Sequence, residues 1–391
     1  MKIVIVGGGF GGLKAALLLS KSHRFNVTLV SEKDHFVYYP SLYAVATGHS
    51  SRQSIVPLAD IVRGTRIRLI TDTVVGLDTH RRMVVAENGQ YQYDSVVFAL
   101  GVVTSYFGLP GLGKYSYGIK TAKEIDRFKS HIHDEMVISG KLDKNYIVVG
   151  AGPTGVELAA ALAHHISSIA EAHDIRHGRP HISLVEAAPR ILPRMHEKTS
   201  RGVENRLKKL GVHIMKNKRV ESEDSDSIII SGVDMPSQTV VWTSGVSNHP
   251  FYSQHSDIFT LAENGKVEVS EQMMAHPHVY VIGDNASTPY SGLAQTALHD
   301  AQFVNRVLRA HIANKKLPTY RVVRPPVIVP VGRNWAAFEW GRLRFTGIAA
   351  NVLRRLADVI GYSDVFPIGL TIRALHAEYQ HDVICETCKN V

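Results

Sequence analysis

Cysteine is almost absent: the 391-residue chain holds two, Cys385 and Cys388, both close to its end. That excludes a disulfide framework across the body of the chain and fits a reducing compartment. No run of ~18 or more apolar residues occurs, so no membrane-spanning helix is expected, and any membrane association is expected to be peripheral. The opening MKIVIV reads as a strand and lacks the regions of a secretory signal, so none is expected. Acidic residues are in deficit, 35 against 44 Lys and Arg, giving a formal net charge of +9. Such a balance favours anionic partners: nucleic acid, an anionic lipid surface or a phosphorylated ligand. A nucleic-acid motif is missing too, so no nucleic-acid partner is expected. The charge is assigned to nucleotide phosphates and a membrane surface.

What is present is an ordinary globular composition, 45% apolar and 20% charged, long enough for two or three domains. Strand and helix signals alternate through the first two-thirds, which argues for parallel sheets with crossover helices. Strands are expected at 2–6, 26–31, 95–100, 145–149, 181–186, 240–246 and 279–284. Helices are expected at 11–22, 121–134, 155–172 and near 292–313. The stretch 108–118, GLPGLGKYSYG, reads as a glycine-rich linker. From about 322 the chain changes to a basic, proline-bearing β segment followed by two amphipathic stretches.

One pattern occurs twice. In IVIVGGGFGGLKAA, Gly7, Gly9 and Gly12 stand between a strand and a helix, with Phe10 and Gly11 among them. The first glycine permits a tight turn, the second lets a pyrophosphate reach the backbone, and the third lets helix and strand pack closely. The phosphates would rest on the free N–H groups at the positive end of the helix dipole. Glu32 lies twenty residues past Gly12, at the end of the next strand, where an acid bonds a ribose hydroxyl. In IVVGAGPTGVELAA, Gly150, Gly152 and Gly155 repeat the logic, with Pro153 and Thr154 opening the helix. Glu186 ends the following strand, and a carboxylate there repels a 2′-phosphate, which favours NADH over NADPH.

Two dinucleotide sites in one chain imply a resident flavin and a visiting nicotinamide, with hydride passing from nicotinamide C4 to flavin N5. VYVIGD, residues 279–284, supports the flavin: a strand ends at Asp284, which can bond the ribitol chain of FAD. The following helix would aim its N-terminus at the flavin ring, where its dipole stabilises negative charge by about 0.3–1 kcal/mol.

On these motifs the chain resembles the type II NADH:quinone oxidoreductases, within the two-dinucleotide-binding-domain flavoproteins of the pyridine nucleotide-disulfide oxidoreductase superfamily. YYPSLYAVATG (38–48, with Leu42) is similar to the family segment that passes the flavin. Ala99, Leu100 and Gly101 match its second flavin contact. VVWTSGV (240–246, with Ser244 and Gly245) resembles the turn on the nicotinamide side, and LAQTALHDAQ (293–302) the quinone-site helix. The resemblance spans about residues 1–375. It implies an α/β chain with two Rossmann-like domains: a discontinuous FAD domain (1–115 and 250–322), an inserted NADH domain (116–249), and a C-terminal amphipathic α/β tail (323–391). It also implies a tightly but non-covalently held FAD, NADH as substrate, a menaquinone- or ubiquinone-type acceptor, a homodimer, and a peripheral place on the cytoplasmic face of the cell membrane, with a soluble cytoplasmic form as the alternative.

Three side chains are candidates for catalysis. Gln295 and His299 are one helical turn apart and share a face, so if one meets quinone the other can. The family helix carries a second Gln where this chain has His299, and an imidazole can deliver a proton near neutrality. Glu157, two residues after Gly155, is expected to face the gap between nicotinamide and flavin; it could instead simply complement the helix N-terminus. Lys33 is a candidate partner for the flavin phosphate or adenosine, and Val74 for backbone contact with adenine. In the tail, Ile348, Val352, Leu356 and Val359 form an apolar stripe, with Arg354 and Arg355 placed to reach its edges. Together with 367–379 this reads as a basic amphipathic surface for anionic lipid, or as a dimer interface.

Other readings remain. Sulfide:quinone and disulfide reductases need cysteines beside the flavin, and this chain has none mid-chain. A reductase of a small acidic iron–sulfur protein, or a low-turnover flavin and NADH-binding scaffold, stays possible. The lone C-x-x-C at 385–388 is a weak signal for redox or metal chemistry, and no metal site is expected.

Overall fold

The computed structural model describes residues 1–138, 140, 145–175 and 180–382; Cys385 and Cys388 lie outside these. Two parallel sheets organise the chain. The first has six strands in the order Met274–His276, Val279–Val281, Ser95–Phe98, Lys2–Val6, Asn26–Ser31 and Ile67–Thr71. Every pair is parallel except the first, and Ile3 sits between Val27 and Ser95 in register. Ile3, Val4, Ile5 and Val6 are all buried, as expected of a central strand covered on both faces.

The second sheet, wholly parallel, runs Val212–Lys216, Ile182–Glu186, Tyr146–Val149 and Thr239–Trp242. One face is covered by the helix Pro153–Ala172. The other is covered by a three-stranded antiparallel meander, Val220–Glu223, Ser227–Ile230 and Val233–Pro236. A short antiparallel pair, Val102–Thr104 with Val246–Asn248, carries the chain between the two units.

The alternating elements fall close to where patterning puts them, with five corrections. The strand expected at 240–246 ends at Trp242, and the one expected at 279–284 ends at Val281, so that Asp284 lies in the tight turn Gly283–Asn285 that follows. The strand expected at 95–100 ends at Phe98, because Ala99 to Gly101 turn out of the sheet toward the site. The helix expected at 11–22 spans Phe10–Leu19. The glycine-rich stretch 108–118 is more than a linker: it holds a turn of helix, Leu112–Tyr115, and Leu112 is fully buried in the second unit.

The tail is built into both units. Val327–Pro330, Ala336–Trp340 and Leu343–Gly347 form an antiparallel sheet whose Val329 and Ala337 enter the core of the second unit. The helices Ile348–Val365 and Ile368–Ala377 then send Tyr362, Val365, Phe366 and Ala374 into the core of the first. The described end is pinned by an ion pair of Lys129 with Asp382 at 2.9 Å and a bond from Asp382 N–H to the Gly48 carbonyl. Among the described residues no helix is long and apolar enough to cross a membrane.

Candidate functional site

The two glycine loops have the geometry of phosphate cradles. Gly7 has φ +110°, and a Cβ there would collide with the Ala99 carbonyl oxygen; a Cβ on Gly12 would collide with the Gly7 carbonyl. Gly9, by contrast, faces open space. It precedes the helix Phe10–Leu19 with no side-chain cap and no acid in its first turn. The N-terminal N–H groups are thus left for an anion. The second loop repeats this. Gly150 has φ +102° and abuts Ser244, Gly155 abuts Gly150 and Thr243, and Gly152 is open ahead of an uncapped helix.

The acids differ. Glu32 is exposed just past its strand, available to a ribose. Glu186 is engaged: its two oxygens accept from Ala151 N–H and Ala188 N–H, each at 2.8 Å. It therefore braces the second glycine loop as well as offering charge. Lys33 is half-buried with its carbonyl held by the Ser31 hydroxyl at 2.7 Å, and Val74 opens the strand Val74–Asp78.

Ala99, Leu100 and Gly101 are gathered near the first loop by a residue that patterning did not single out. Asn285, fully buried, accepts from Gly101 N–H at 2.8 Å and donates to the Gly101 carbonyl at 2.5 Å. It also donates to the Asn248 side chain at 2.6 Å, which joins the two units at this point. Its position directly after Gly283-Asp284 was the only sequence signal. Asp284 is half-buried, and burial raises its pKa while Lys266, the Gly292 N–H and Lys120 pull it down. Asp300 fixes the same corner by accepting from Gly283 N–H at 2.9 Å and from the Tyr320 hydroxyl at 2.6 Å.

Gln295 is exposed at the start of the helix Ala294–Ile312. His299, one turn on, is turned toward the chain that follows the helix. Its Nε2 donates to the Arg321 carbonyl at 3.0 Å and its ring meets Tyr320 edge-on at 5.5 Å. One nitrogen is thus committed to the backbone.

Glu157 stands apart. It is ringed by protein although part of its surface stays accessible, and burial pushes its pKa up to about 8, with Arg354 opposing. Near neutral pH it is a carboxylic acid able to donate. Leu42 is buried in the neighbouring helix Leu42–Ala46, whose Tyr43 interacts with both Glu157 and Arg354.

Arg354 corrects the sequence reading. It does not reach outward to the edge of the apolar stripe. It points inward, is 11% exposed, pairs with Asp358, and donates to the Pro40 carbonyl at 3.0 Å. Tyr38 stacks on Tyr362 at 4.2 Å beside it, and the Tyr38 hydroxyl donates to Asp358 at 3.4 Å. The stripe itself, Ile348, Val352, Leu356 and Val359, is on the outside, joined by Ile360, Ile368 and Ile372. Arg355 stays exposed on that side, over the Tyr379 ring. Among the described residues no group of three or more His, Cys, Asp or Glu is placed to hold a metal ion.

Comparison with known proteins accords with this arrangement. The family model described as pyridine nucleotide-disulphide oxidoreductase matches residues 1–301. The type II NADH:quinone oxidoreductase Ndh of Mycobacterium tuberculosis is 29% identical, over 92% of this chain and 85% of that one. The type II NADH:quinone oxidoreductase of Staphylococcus aureus is 22% identical, over 95% and 98%. Among solved structures, NDH2 from Plasmodium falciparum in complex with NADH superposes with a TM-score of 0.87 at 18% identity, covering 97% of each chain. The sulfide:quinone oxidoreductase of Aquifex aeolicus superposes with a TM-score of 0.78.

Proposed function

The chain belongs to the pyridine nucleotide-disulphide oxidoreductase family, and on that premise we propose that it is an FAD-dependent, non-proton-pumping NADH:quinone oxidoreductase. Its relatives over nearly the whole length carry that activity in their names. The observation that carries the reading is the paired cradle: two uncapped helix N-termini behind open glycines, with Asn285 joining Gly101 to Asn248 between them.

FAD, when bound, supplies the two-electron relay between NADH and the quinone. Gly7, Gly9, Phe10, Gly11, Gly12, Glu32 and Lys33 would hold its pyrophosphate and adenosine, with Val74 nearby. Leu42, Ala99, Leu100, Gly101, Asp284 and Gln295 would hold its ring end. NADH would lie on Gly150, Gly152, Pro153, Thr154 and Gly155, with Glu186 at its ribose and Ser244 and Gly245 at its other end. The corresponding domains are 1–115 with 250–322 for FAD, 116–249 for NADH, and 323–391 for the tail.

Glu157 is the proton donor best suited to the quinone, because burial keeps it protonated at neutral pH while Arg354 lies close enough to stabilise the carboxylate left behind. His299 is the weaker candidate, since its Nε2 is tied to Arg321. The exposed isoleucine, leucine and valine face, flanked by Arg342, Arg344, Arg355 and Arg373, suits a peripheral hold on anionic lipid on the cytoplasmic side. The same face could instead be covered by a second copy of the chain.

The test is rapid mixing of the FAD-loaded protein with NADH and then with a soluble quinone. Both half-reactions are expected, and Glu157→Gln should slow the second more than the first. Acceptance by acidic iron–sulfur proteins but by no quinone would overturn the assignment.

A further inference from the structure

Phe107 is an anomaly. Its ring is 66% exposed, and its backbone has φ +53°, a left-handed conformation disfavoured for a bulky residue. The ring meets Trp242 edge-on on one side, with centroids 6.3 Å apart, and leaves its other side to solvent.

Its surroundings are fixed firmly. Ser105 N–H donates to the Gly245 carbonyl at 3.2 Å, and the Trp242 indole N–H donates to the Ser105 carbonyl at 2.9 Å. The Phe107 N–H donates to the Ser105 hydroxyl at 3.3 Å. The ring lies directly against Gly245, so close that a Cβ there would come within 2.5 Å of it. Gly245 itself has φ +76°. The other flank of the same turn backs onto the second nucleotide loop, Ser244 against Gly150 and Thr243 against Gly155. Phe107 is thus separated from the glycine cradle by the thickness of one turn.

Strand order says which end of a dinucleotide comes here. Glu186 ends the strand on one side of Tyr146–Val149, and Thr243 to Gly245 follow the strand on the other side. If the acid takes the adenosine ribose, the opposite end of the ligand runs toward Gly245. From there Val246–Asn248 pairs with Val102–Thr104, which leads straight back to Gly101 and the flavin cradle.

We propose that Phe107 is a positioning residue for NADH, an aromatic wall on Gly245 against which the nicotinamide end of the nucleotide is held. This deepens the NADH reading above and rests on it. The nicotinamide ring, a pyridinium in NAD+ and a near-planar dihydropyridine in NADH, meets the free side of the phenyl ring in offset or edge-on contact.

Calorimetric titration of the FAD-loaded protein with NAD+ and, separately, with ADP-ribose tests it, because ADP-ribose lacks the nicotinamide. Phe107→Ala is expected to weaken NAD+ binding about threefold to tenfold and to leave ADP-ribose within about twofold. Phe107→Tyr should keep wild-type affinity for both. Phe107→Gly relieves the backbone strain yet removes the ring, so it should bind NAD+ as weakly as Phe107→Ala while melting no lower than wild type. Equal effects on the two ligands, or none on either, would overturn the proposal and leave the NADH reading intact. A wild-type protein that binds neither ligand would remove that reading, and this inference with it.

Discussion

Arg354 and Asp358 form a buried ion pair one helical turn apart, on a helix whose opposite face is apolar and exposed. One element thus presents a greasy surface outward and a charge pair inward, beside Glu157 and the Tyr38–Tyr43 segment. Arg354→Met strands Asp358 in a buried site and should destabilise the protein by about 3–5 kcal/mol. The double variant Arg354→Met/Asp358→Leu should recover most of that loss in thermal melts. A single variant as stable as wild type would show the pair to be idle.

Glu157 should register in pH dependence. Its folded pKa of about 8 lies above the ordinary 4.5, so the folded chain holds this proton longer than the unfolded one. Its stability contribution is full below pH ~4.5, declines as pH rises, and is exhausted above pH ~8. Glu157→Gln keeps a neutral side chain throughout. Its melting temperature should therefore gain on wild type from pH 5 to about 8 and then run parallel. In turnover, the same variant should lower quinone reduction on the order of a hundredfold, the low end for losing a general acid.

The glycine loops were legible in the sequence because their function is a backbone function. No side chain fits at Gly7, Gly12, Gly150 or Gly155, and that constraint is written at each position. The polar network of the tail was not legible. Arg354 and Asp358 sit at helical spacing next to an apolar stripe, and a basic residue there reads as surface. Only the tertiary arrangement, which buries Tyr362 and Phe366 against the first unit, turns Arg354 inward. Asn285 and Asp300 were hidden for a related reason: each satisfies a backbone group that only the tertiary fold brings to it, 184 residues away for Asn285 and 17 for Asp300. His299 shared its helix face with Gln295 as periodicity requires, but spacing could not show that the Arg321 carbonyl would take up its Nε2.

Gly150→Ala separates the two cradles. The left-handed backbone and the adjacent Ser244 leave no room for the methyl group. The variant should retain FAD through purification yet bind NAD+ at least about tenfold more weakly, a loss of about 1.4 kcal/mol or more. Loss of FAD together with NAD+ would mean that the loops do not serve separate ligands.

Glu186→Gln tests nucleotide choice. The amide removes the charge that disfavours a 2′-phosphate, but it cannot accept from both Ala151 and Ala188 through two carboxylate oxygens. NADH should bind more weakly while the preference for NADH over NADPH narrows about tenfold, the effect of ~1.4 kcal/mol. An unchanged preference in competition kinetics would release Glu186 from that role.

The tail surface calls for substitution in place of deletion, since truncation at 348 would remove Tyr362, Val365 and Phe366 from the core. Ile368→Glu with Ile372→Glu alters only exposed positions. The pair should leave the melting temperature unchanged and abolish flotation with anionic liposomes. Flotation equal to wild type would move the lipid contact elsewhere; lost dimerisation with retained flotation would assign the face to a second copy.

The most direct measurement is an anaerobic titration of the FAD-loaded protein with NADH, followed by a soluble quinone. NADH should bleach the visible flavin absorbance at equimolar addition, and the quinone should restore it within the turnover time. A flavin that NADH leaves oxidised, or that quinone leaves reduced, would contradict a single redox path through the two cradles.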